Sequence, residues 1–578
     1  MSILKEVESI VLESINKAGY NLEHVSFVKS ARSDLGDFQI NDAMGLAKAY
    51  SKNPREIAED IKCVLELDSR FTNINIAGPG FINITFTDSF YLDMLKKMQE
   101  DLFSNIDLED KKKILIDFGG ANAAKALHVG HMRSANIGES LRRLAILLGH
   151  DVIGDVHLGD MGRQAGMIIS ELKEEQPNLV WFDDSFKGEF PSVNLTNDDL
   201  GRLYPQASIK AKESDAKMDE VRSITALIDK GDERLSDLWK KIVAISSSSI
   251  KKTYDRLNTH FDLWEGEMDA CKYKEQVLKV FHDYLYESEG ALVIDVAEES
   301  DKKEMLPLIV IKSDGATIYA TRDLGSIYSR LERFPLDEMW YVTDERQSYY
   351  FEQLFRASYK TGLVPRSVKL EHFGFGTING SDGKPFKTRD GGVMQLEDLI
   401  NLVKEEVEKR IREDITGSER DRIAEDLTIA TVKYADLLPF RGTDYIFDVE
   451  KFASLEGKTG PYILYSTIRM SSLLNKAKDA GFENFIPTEL RNGERNVLLE
   501  ILQLPNVLKK AYQDKSLNEV CDYLFRLTSS YNKFYSENKV LSEEDTQVRD
   551  TWLSLTEVVR NINLMLLDVL AIKVPEKM

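Results

Sequence analysis

Apolar and polar positions in the first 108 residues follow two different periods, which predicts a small α+β domain. Apolar residues recur at helical spacing from position 3 to position 15, and Asn53 followed by Pro54 is a typical cap and first turn of a second helix. Residues 73–77 and 81–86 alternate with period two around a Gly-Pro-Gly turn. These two segments are therefore expected to pair as strands.

A strand, a loop of small residues and a helix follow one another from residue 114, as at the entry to a doubly wound α/β domain. Residues 114–118 form an apolar run of the buried-strand type, and an apolar stripe at helical spacing ends at Gly149. We expect this domain to span residues 109–412.

Later apolar runs at 151–155, 308–311 and 338–343 are expected to supply further strands of the same domain. The polar, helix-rich stretch from about 170 to 260 interrupts the alternation and is interpreted as an insertion.

Strand signals vanish from about residue 413 onward. Amphipathic helical patterns at 498–508, 517–527 and 558–570 take their place, which predicts a helical bundle over 413–578. The expected fold class is an α/β Rossmann-like parallel-sheet catalytic domain with an N-terminal α+β domain and a C-terminal all-α helical bundle.

The composition indicates a folded protein and leaves nucleic acid binding open. Hydrophobic residues make up 42% of the 578 residues and charged residues 30%. A net charge of −22 argues against general coating of nucleic acid, although an acidic protein can carry a basic stripe on one face. Three scattered cysteines favour a reducing cytoplasm over a zinc or disulfide framework, and no apolar run is long enough to suggest a membrane partner.

Two histidines stand where the predicted strand and loop lead into a helix. In His128-Val129-Gly130-His131 the glycine allows close approach of a ligand, and free N–H groups at a helix start attract phosphate. The histidines could donate hydrogen bonds as charge builds in a displacement at phosphorus. Chance surface histidines are the plain alternative, and no third ligand at recognisable spacing supports zinc.

A second candidate lies downstream, where residues 375–392 form a glycine-bracketed basic loop. Its lysines supply point charges for a polyphosphate, although such a loop by itself is more often a solvated surface segment. The histidine element and this loop together, on one α/β domain, suggest a nucleotide clamp.

Over nearly its whole length the sequence resembles the arginyl-tRNA synthetases, which are class I enzymes. Residues 117–133 resemble the family's segment with the His-Ile-Gly-His signature, with Val129 in place of isoleucine. Residues 154–164 resemble its Gly-Asp-Trp-Gly-Thr-Gln region, with Met161 in place of the aromatic residue. Tyr-x-Thr-x-Asp at 319–323, Asp-x-Arg-Gln at 344–347, and segments in both terminal domains complete the match.

One departure concerns the family's Lys-Met-Ser-Lys loop, because the corresponding tetrad here reads Pro385-Phe386-Lys387-Thr388. In arginyl enzymes with this pattern, a lysine just before the histidine signature is thought to supply the missing charge. Lys125 occupies that position, with a solvated loop lysine as the alternative.

The resemblance implies an arginine pocket of Asp117, Asn122, Tyr319, Asp323 and Gln347. A guanidinium is held best by carboxylates or amide oxygens in bidentate geometry. Asp117 could serve the guanidinium together with Asp323, or it could hold the α-ammonium instead. Gln347 and Asn122 could supply oxygens to the guanidinium or donors to the carboxylate, and the plain alternative for Asp323 is a helix cap.

The resemblance also implies the reaction, in which arginine attacks the α-phosphorus of ATP, accompanied by Mg²⁺, and the adenylate is transferred to tRNA(Arg). The implied protein is a monomer that binds tRNA before it activates arginine. The catalytic residues would be Lys125, His128, His131, Lys384 and Lys387. ATP binding is assigned to His128, Gly130, His131, His372, Lys384, Phe386 and Lys387. RNA contacts are assigned to Phe81, Asn83, Tyr462, Tyr465, Tyr535 and Met578, although such aromatic residues are often packing residues.

Two other functions are compatible with parts of the pattern. Another class I synthetase, or an adenylyl transferase of the same fold, would keep His128 and His131 without acidic residues in the amino-acid pocket. A catalytically inactive relative could act as an RNA-binding scaffold, but the intact His128, Gly130, His131, Asn122 and Lys125 argue against this.

Overall fold

The computed structural model describes residues 1–30, 32, 34–313, 318–380, 382–384, 386, 394–491 and 493–577. The chain divides into two compact units. The terminal unit combines Met1–Glu109, Ser454–Asp568 and Val574–Met578, and the central unit combines Asp110–Ala453 with Val569–Lys573.

The N-terminal part of the terminal unit has the predicted α+β composition. Its elements are α1 (Ile3–Lys17), β1 (Phe27–Lys29), β2 (Phe38–Ile40), α2 (Asp42–Tyr50), α3 (Pro54–Leu65), β3 (Phe71–Ala77), β4 (Phe81–Phe86) and α4 (Asp88–Glu100). Asn53 caps α3 through its side chain, and β3 pairs antiparallel with β4 in a sheet of order β1-β2-β4-β3. The period-two pattern and the cap signal are both confirmed.

The central unit alternates strands and helices. Its elements are β5 (Lys113–Asp117), α5 (Val129–Leu147), β6 (Asp151–Asp155), α6 (Arg163–Glu175), α7 (Asn197–Glu213), α8 (Asp215–Asp229), α9 (Glu233–Arg256), α10 (Glu267–Cys271), α11 (Lys274–Phe281), β7 (Leu285–Ser288), β8 (Ala291–Ile294), β9 (Leu308–Ile311), α12 (Tyr319–Arg333), β10 (Glu338–Tyr341), α13 (Ser348–Lys360), β11 (Lys369–His372), β12 (Ile378–Asn379), α14 (Leu396–Glu408), α15 (Gly417–Leu437), β13 (Tyr445–Ile446) and α16 (Val449–Phe452).

A parallel sheet of order β11-β10-β5-β6 organises the central unit. Ile114, Leu115 and Ile116 of β5 are fully buried, as expected for a central strand covered on both faces. The carboxyl ends of β5, β6 and β10 meet at one edge of this sheet, where ligands of doubly wound folds bind.

Helices α6 to α9 enclose a hydrophobic core of their own, with the indoles of Trp181 and Trp239 fully buried. Ala123 and Ala124, which precede the histidine element, belong to the same cluster. The backbone N–H of Ala124 donates to the Ser246 hydroxyl at 2.7 Å. The helical region therefore fixes the loop that leads to the histidines.

Three strands depart from the sequence-based expectations. β9 lies in the central unit but pairs antiparallel with β8, in a side sheet of order β7-β8-β9 instead of the parallel sheet. β11, with the sequence Lys-Leu-Glu-His, was not predicted, because a partly exposed edge strand carries no apolar run. β13 lies beyond residue 413, where no strand was expected, and pairs in parallel with β12.

The helices α17 (Gly460–Asp479), α18 (Arg495–Leu502), α19 (Leu504–Gln513), α20 (Asn518–Glu537) and α21 (Thr546–Val569) form the C-terminal part of the terminal unit. A C-terminal helical bundle is confirmed, with its helices starting at Gly460, whereas residues 413–453 belong to the central unit. An ion pair joins it to the N-terminal part, since Arg495 binds both carboxylate oxygens of the buried Asp37, at 3.0 and 2.6 Å.

Candidate functional site

A cavity of about 860 Å³ opens at the carboxyl edge of the parallel sheet. Residues from the β5 loop, the start of α5, the start of α12 and the segment after β10 surround it. It brings together His128, Gly130 and His131 of the histidine element and all five residues expected to bind arginine, namely Asp117, Asn122, Tyr319, Asp323 and Gln347. A partly apolar cleft with convergent polar groups is typical of a small-molecule site.

The two histidines cap the helix that follows them. The His128 Nδ1 accepts the Gly130 N–H at 3.1 Å, and the His131 Nδ1 accepts the His128 N–H at 3.1 Å. A Cβ at Gly130 would lie 2.9 Å from the His128 ring, so only glycine fits there. Because each Nδ1 accepts, a neutral ring carries its proton on Nε2 and presents a donor there.

Burial keeps these rings neutral. Burial, with smaller contributions from the nearby His128 and Lys125, lowers the pKa of His131 to about 3. Burial also lowers the pKa of His128, again with a contribution from Lys125. The ring centroids lie 3.7 Å apart in a stacked arrangement, which favours at most one positive charge. At neutral pH the pair therefore offers two uncharged N–H donors.

The acidic residues of the cavity have different partners. Arg330, which is fully buried, binds Asp117 at 2.6 Å and Asp155 at 2.5 Å, so one guanidinium partly neutralises the two carboxylates. Asp323 instead accepts a hydrogen bond from the Tyr350 hydroxyl, and burial raises the pKa of its carboxyl. A cationic ligand would therefore stabilise the ionised carboxylate of Asp323 more than that of Asp117.

Glu267, at the start of α10, also lines the cavity and was missed from the sequence. Its carboxylate binds Arg322 at 2.7 Å, and burial raises its pKa to about 7 against the pull of that arginine. No periodic pattern or motif marks this glutamate, which follows the helical stretch as an ordinary polar residue. Only the fold brings it opposite α12.

Asp117, Asp155 and His157 lie within 4.8 Å of one another, a spacing at which three ligands could hold a metal ion. Arg330 contacts both carboxylates with a single nitrogen, Nη2. Its guanidinium supplies the positive charge that a metal would bring, so we interpret the cluster as a buried ion-pair network.

Lys125 and His372 lie next to the cavity lining. The Lys125 ammonium stacks 4.7 Å from the ring centre of Tyr204, which belongs to α7. His372 stacks on Phe351, a lining residue, and its Nε2 lies 2.8 Å from the Thr343 hydroxyl. Burial lowers the pKa of His372 to about 4, so it is neutral at physiological pH.

Part of the basic loop lies within the described residues. Lys384 is exposed, with its backbone N–H bonded to Asp382, and Phe386 packs edge-on against Phe447. Lys387 lies outside the described residues.

The two RNA candidates of the N-terminal sheet differ in access. Phe81 is half-buried, whereas Asn83 is fully buried and its Oδ1 accepts a bond from Gln39 at 2.9 Å. Phe81 is therefore the more accessible of the two. Met578, the candidate at the C-terminus, lies outside the described residues.

The RNA candidates of the helical bundle share one surface of α17 and α20. The Arg469 guanidinium lies 5.9 Å from the Tyr465 ring and 4.8 Å from the Tyr535 ring. Asn532 donates to the Tyr462 hydroxyl at 2.9 Å and accepts from Arg469. Two aromatic rings with a cation and an amide between them form a surface suited to unstacked bases. Arg469 and Asn532 were not predicted.

Among the described residues, no helix is both long and apolar enough to cross a membrane.

Family models cover most of the chain. The model for the catalytic domain of class I tRNA synthetases (R) matches residues 94–449. The models for the arginyl tRNA synthetase N terminal domain and the DALR anticodon binding domain match residues 5–86 and 463–578.

Curated relatives and solved structures agree with these models. The arginine–tRNA ligase of Alkaliphilus oremlandii is 41% identical over 586 residues, and that of Agathobacter rectalis is 39% identical over 598, with 100% of each chain covered in both cases. The crystal structure of arginyl-tRNA synthetase from Plasmodium falciparum matches with a TM-score of 0.81 and 25% identity, over 100% of this chain and 99% of that one. The Thermus thermophilus arginyl-tRNA synthetase, at 19% identity and a TM-score of 0.79 with 100% of both chains covered, supports the fold alone.

Proposed function

The chain belongs to the class I tRNA synthetases for arginine, and we propose that it ligates L-arginine to tRNA(Arg) with ATP. In the first step an oxygen of the arginine carboxylate attacks the α-phosphorus of ATP, and pyrophosphate leaves. In the second step a ribose hydroxyl at the tRNA 3′ end attacks the carbonyl carbon of the adenylate, and AMP leaves. The observation that carries this proposal is one cavity with two neutral histidine donors and buried carboxylates.

The carboxylates Asp323 and Glu267 select the side chain of the substrate. Both line the cavity, and burial raises the pKa of each, so each gains from a guanidinium placed between them. Tyr319, which is 67% exposed at the rim, and Gln347 complete the contacts to arginine. Asp117, which is bound to Arg330, holds the α-ammonium together with Asn122.

The phosphate chemistry uses the start of α5. The Nε2 donors of His128 and His131 stabilise the charge that develops on the α-phosphate, and Gly130 allows its close approach. Mg²⁺ enters with ATP as part of the substrate. Lys384 and Lys387 contribute charge from the basic loop, with Phe386 and His372 shaping the ATP site. Positioning by these groups, without a covalent enzyme intermediate, accounts for most of the catalysis.

The terminal unit binds the tRNA. Phe81 and Asn83 in the N-terminal sheet, and Tyr462, Tyr465 and Tyr535 with Met578 in the helical part, are the proposed contacts. We place the protein in the cytoplasm as a monomer, where tRNA binding precedes arginine activation.

ATP–pyrophosphate exchange with a panel of amino acids, with and without tRNA(Arg), tests the function directly. We expect exchange with arginine and with no other amino acid of the panel. We expect it only when the tRNA is present. Exchange with cysteine or glutamate but not arginine would identify another class I synthetase. Lack of exchange with every amino acid, together with retained tRNA binding, would identify an RNA-binding scaffold.

Lys125→Met is expected to lower the exchange rate about 100-fold, because a charge that meets the transferring phosphate is lost. The ammonium lies over the Tyr204 ring in this structure, and the proposed role requires it to reach the phosphates when ATP binds. Tyr204→Phe is the matched control, since it keeps the aromatic face and is expected to retain the wild-type rate. Unchanged exchange in Lys125→Met would show that Lys125 does not replace the missing lysine of the signature.

The pH dependence of the arginine KM follows from Glu267. Its pKa is about 7 in the empty cavity, and a bound guanidinium lowers it, so arginine binding releases a proton below pH 7. The arginine KM is expected to be lowest above pH 7 and to rise as pH falls below 7, by up to about tenfold per unit. The charged neighbours that act on Glu267 are Arg322, Asp323, His157 and Asp160.

The arginine KM, measured from pH 5.5 to 8 in the wild type and in Glu267→Gln, checks this expectation. The variant is expected to bind arginine more weakly and to show a flatter profile. A profile of unchanged slope in Glu267→Gln would assign the titration to another group.

A further inference from the structure

Both ends of the basic loop are attached to the element that carries the histidines. We define the first arm as residues 376–379, at the start of the loop, and the second arm as residues 394–396, just after its end. The second arm is held by backbone bonds, from Val129 N–H to Met394 O at 3.4 Å and from Leu396 N–H to Leu127 O at 2.9 Å. Both of these hydrogen bonds join main-chain groups.

The first arm is bound by the side chain of Arg133, which comes from the helix that begins at the histidines. Arg133 lies on α5 two residues after His131 and is fully buried. Its Nη1 donates to Gly376 O at 2.7 Å, in the first arm, and to Thr443 O at 3.1 Å, in the segment beside that arm. One guanidinium nitrogen thus joins the histidine helix to two backbone carbonyls at the base of the loop.

The segment that contains Thr443 continues into β13 and clamps the first arm from its other side. The Asp444 carboxylate accepts the Thr377 N–H at 2.6 Å, and the pairing of β12 with β13 extends the contact. Gly376 has no room for a side chain, since a Cβ there would lie 2.6 Å from the Asp444 Oδ1. The first arm is packed closely between Arg133 and Asp444.

A buried network holds Arg133 in this position. The Arg133 Nε lies 3.3 Å from the Asp436 carboxylate, and the guanidinium lies 5.0 Å from the ring centre of Tyr445. Asp436 also accepts bonds from Asn136 at 2.9 Å and from the Tyr445 hydroxyl at 3.1 Å. Asp436 and Tyr445 would be sufficient partners for an arginine that only stabilises the core. Arg133 in addition donates a hydrogen bond to the first arm of the loop.

We infer that Arg133 is a positioning residue for the ATP reaction, which holds the first arm, at the described base of the basic loop, against the helix that begins at the histidines. The inference rests on the proposed role of the loop in binding the ATP phosphates. The proposed arginine contacts come from β5 and the loop after it, from α10 and α12, and from the segment after β10. The hydrogen bonds of Arg133 go instead to Gly376 and Thr443, so we expect Arg133 to affect ATP more than arginine.

Arg133→Lys tests this role in the full chain, assayed by exchange in the presence of tRNA(Arg). Lysine keeps the positive charge beside Asp436. It lacks the planar guanidinium, which contacts the Asp436 carboxylate and the carbonyls of Gly376 and Thr443 at the same time. We expect the KM for ATP to rise about tenfold and kcat to fall by a similar factor, because a small misplacement of binding groups is costly. The KM for arginine is expected to stay within about twofold.

Asp444→Ala loosens the same arm from its exposed side and is expected to raise the KM for ATP in the same way, although less. It carries the test alone if Arg133→Lys does not fold. Lys433→Met is the matched control. Lys433 donates to Asn136 in the same network at 3.2 Å, and burial lowers its pKa to about 7. This hydrogen bond goes to α5 and not to either arm.

A wild-type KM for ATP in both Arg133→Lys and Asp444→Ala would overturn the inference. An equal increase in the KM for ATP and for arginine would also overturn it, as would the same ATP effect in Lys433→Met. These results differ from failure of the proposed function, which would remove arginine-dependent exchange from the wild type itself.

Discussion

Asp323→Asn is expected to lower kcat/KM for arginine about a thousandfold, which corresponds to about 4 kcal/mol. Asparagine fills the same space and can still accept a bond from Tyr350, but it offers no charge to a guanidinium. The loss is large because the substrate cation stays buried with one carboxylate, that of Glu267, instead of two. Steady-state exchange at varied arginine, with tRNA(Arg) present, measures it.

Tyr350→Phe is the control for the surroundings of Asp323. It removes the hydroxyl that donates to the carboxylate and leaves the ring, so we expect less than a tenfold loss. The KM for ATP is expected to be unchanged in both variants. An arginine KM within threefold of the wild type in Asp323→Asn would place the guanidinium elsewhere, with Asp323 acting as a structural residue.

Citrulline gives the same test from the side of the substrate, because it replaces the guanidinium with a neutral urea group. The wild type should reject it, since neither carboxylate gains an ionic partner. In Asp323→Asn the preference for arginine over citrulline is expected to shrink. An unchanged preference for arginine over citrulline in Asp323→Asn would show that Asp323 does not discriminate between a charged and a neutral substrate.

The accuracy of the sequence-based predictions depended on burial and on local signals. β5 is fully covered by other elements, and its apolar run predicted it correctly. β11 belongs to the same sheet, but as an edge strand it carries Lys369 and Glu371 and resembles a loop. β9 has an apolar run like that of β5, but it pairs with β8 of the β7-β8 hairpin. The apolar run alone does not indicate which strand is the partner.

The same contrast applies to the site. The histidine element lies within a few consecutive residues, so its cap, its glycine and its helix could be predicted together. Glu267 and Arg133 act through partners far away in the chain, Arg322 and the carbonyls of Gly376 and Thr443. Only the folded chain shows these partners, because no spacing in the sequence relates them.

His128→Asn and His131→Asn are each expected to lower kcat for exchange about 100- to 1,000-fold, with little change in the KM for ATP. The asparagine Oδ1 can replace Nδ1 as the acceptor of a backbone N–H, at Gly130 or at His128, so the helix start is preserved. What is lost is the Nε2 donor, which acts on the charge that forms in the transition state. A rise in the KM for ATP without a fall in kcat would indicate ground-state binding only.

The protonation state of His131 gives an independent check on this mechanism. With a pKa of about 3 the ring stays neutral from pH 8 to pH 6, so its titration is expected to leave kcat unchanged in this range. A kcat that increases as pH falls through 6.5, and no longer does so in His131→Asn, would show that the imidazolium is the active form. Stability supplies the second measurement, since the unfolded chain binds a proton at His131 near pH 6.5 and the folded chain does not. The wild type should therefore lose stability relative to His131→Asn as pH falls from 6.5 towards 4, in thermal unfolding of the two proteins compared at each pH.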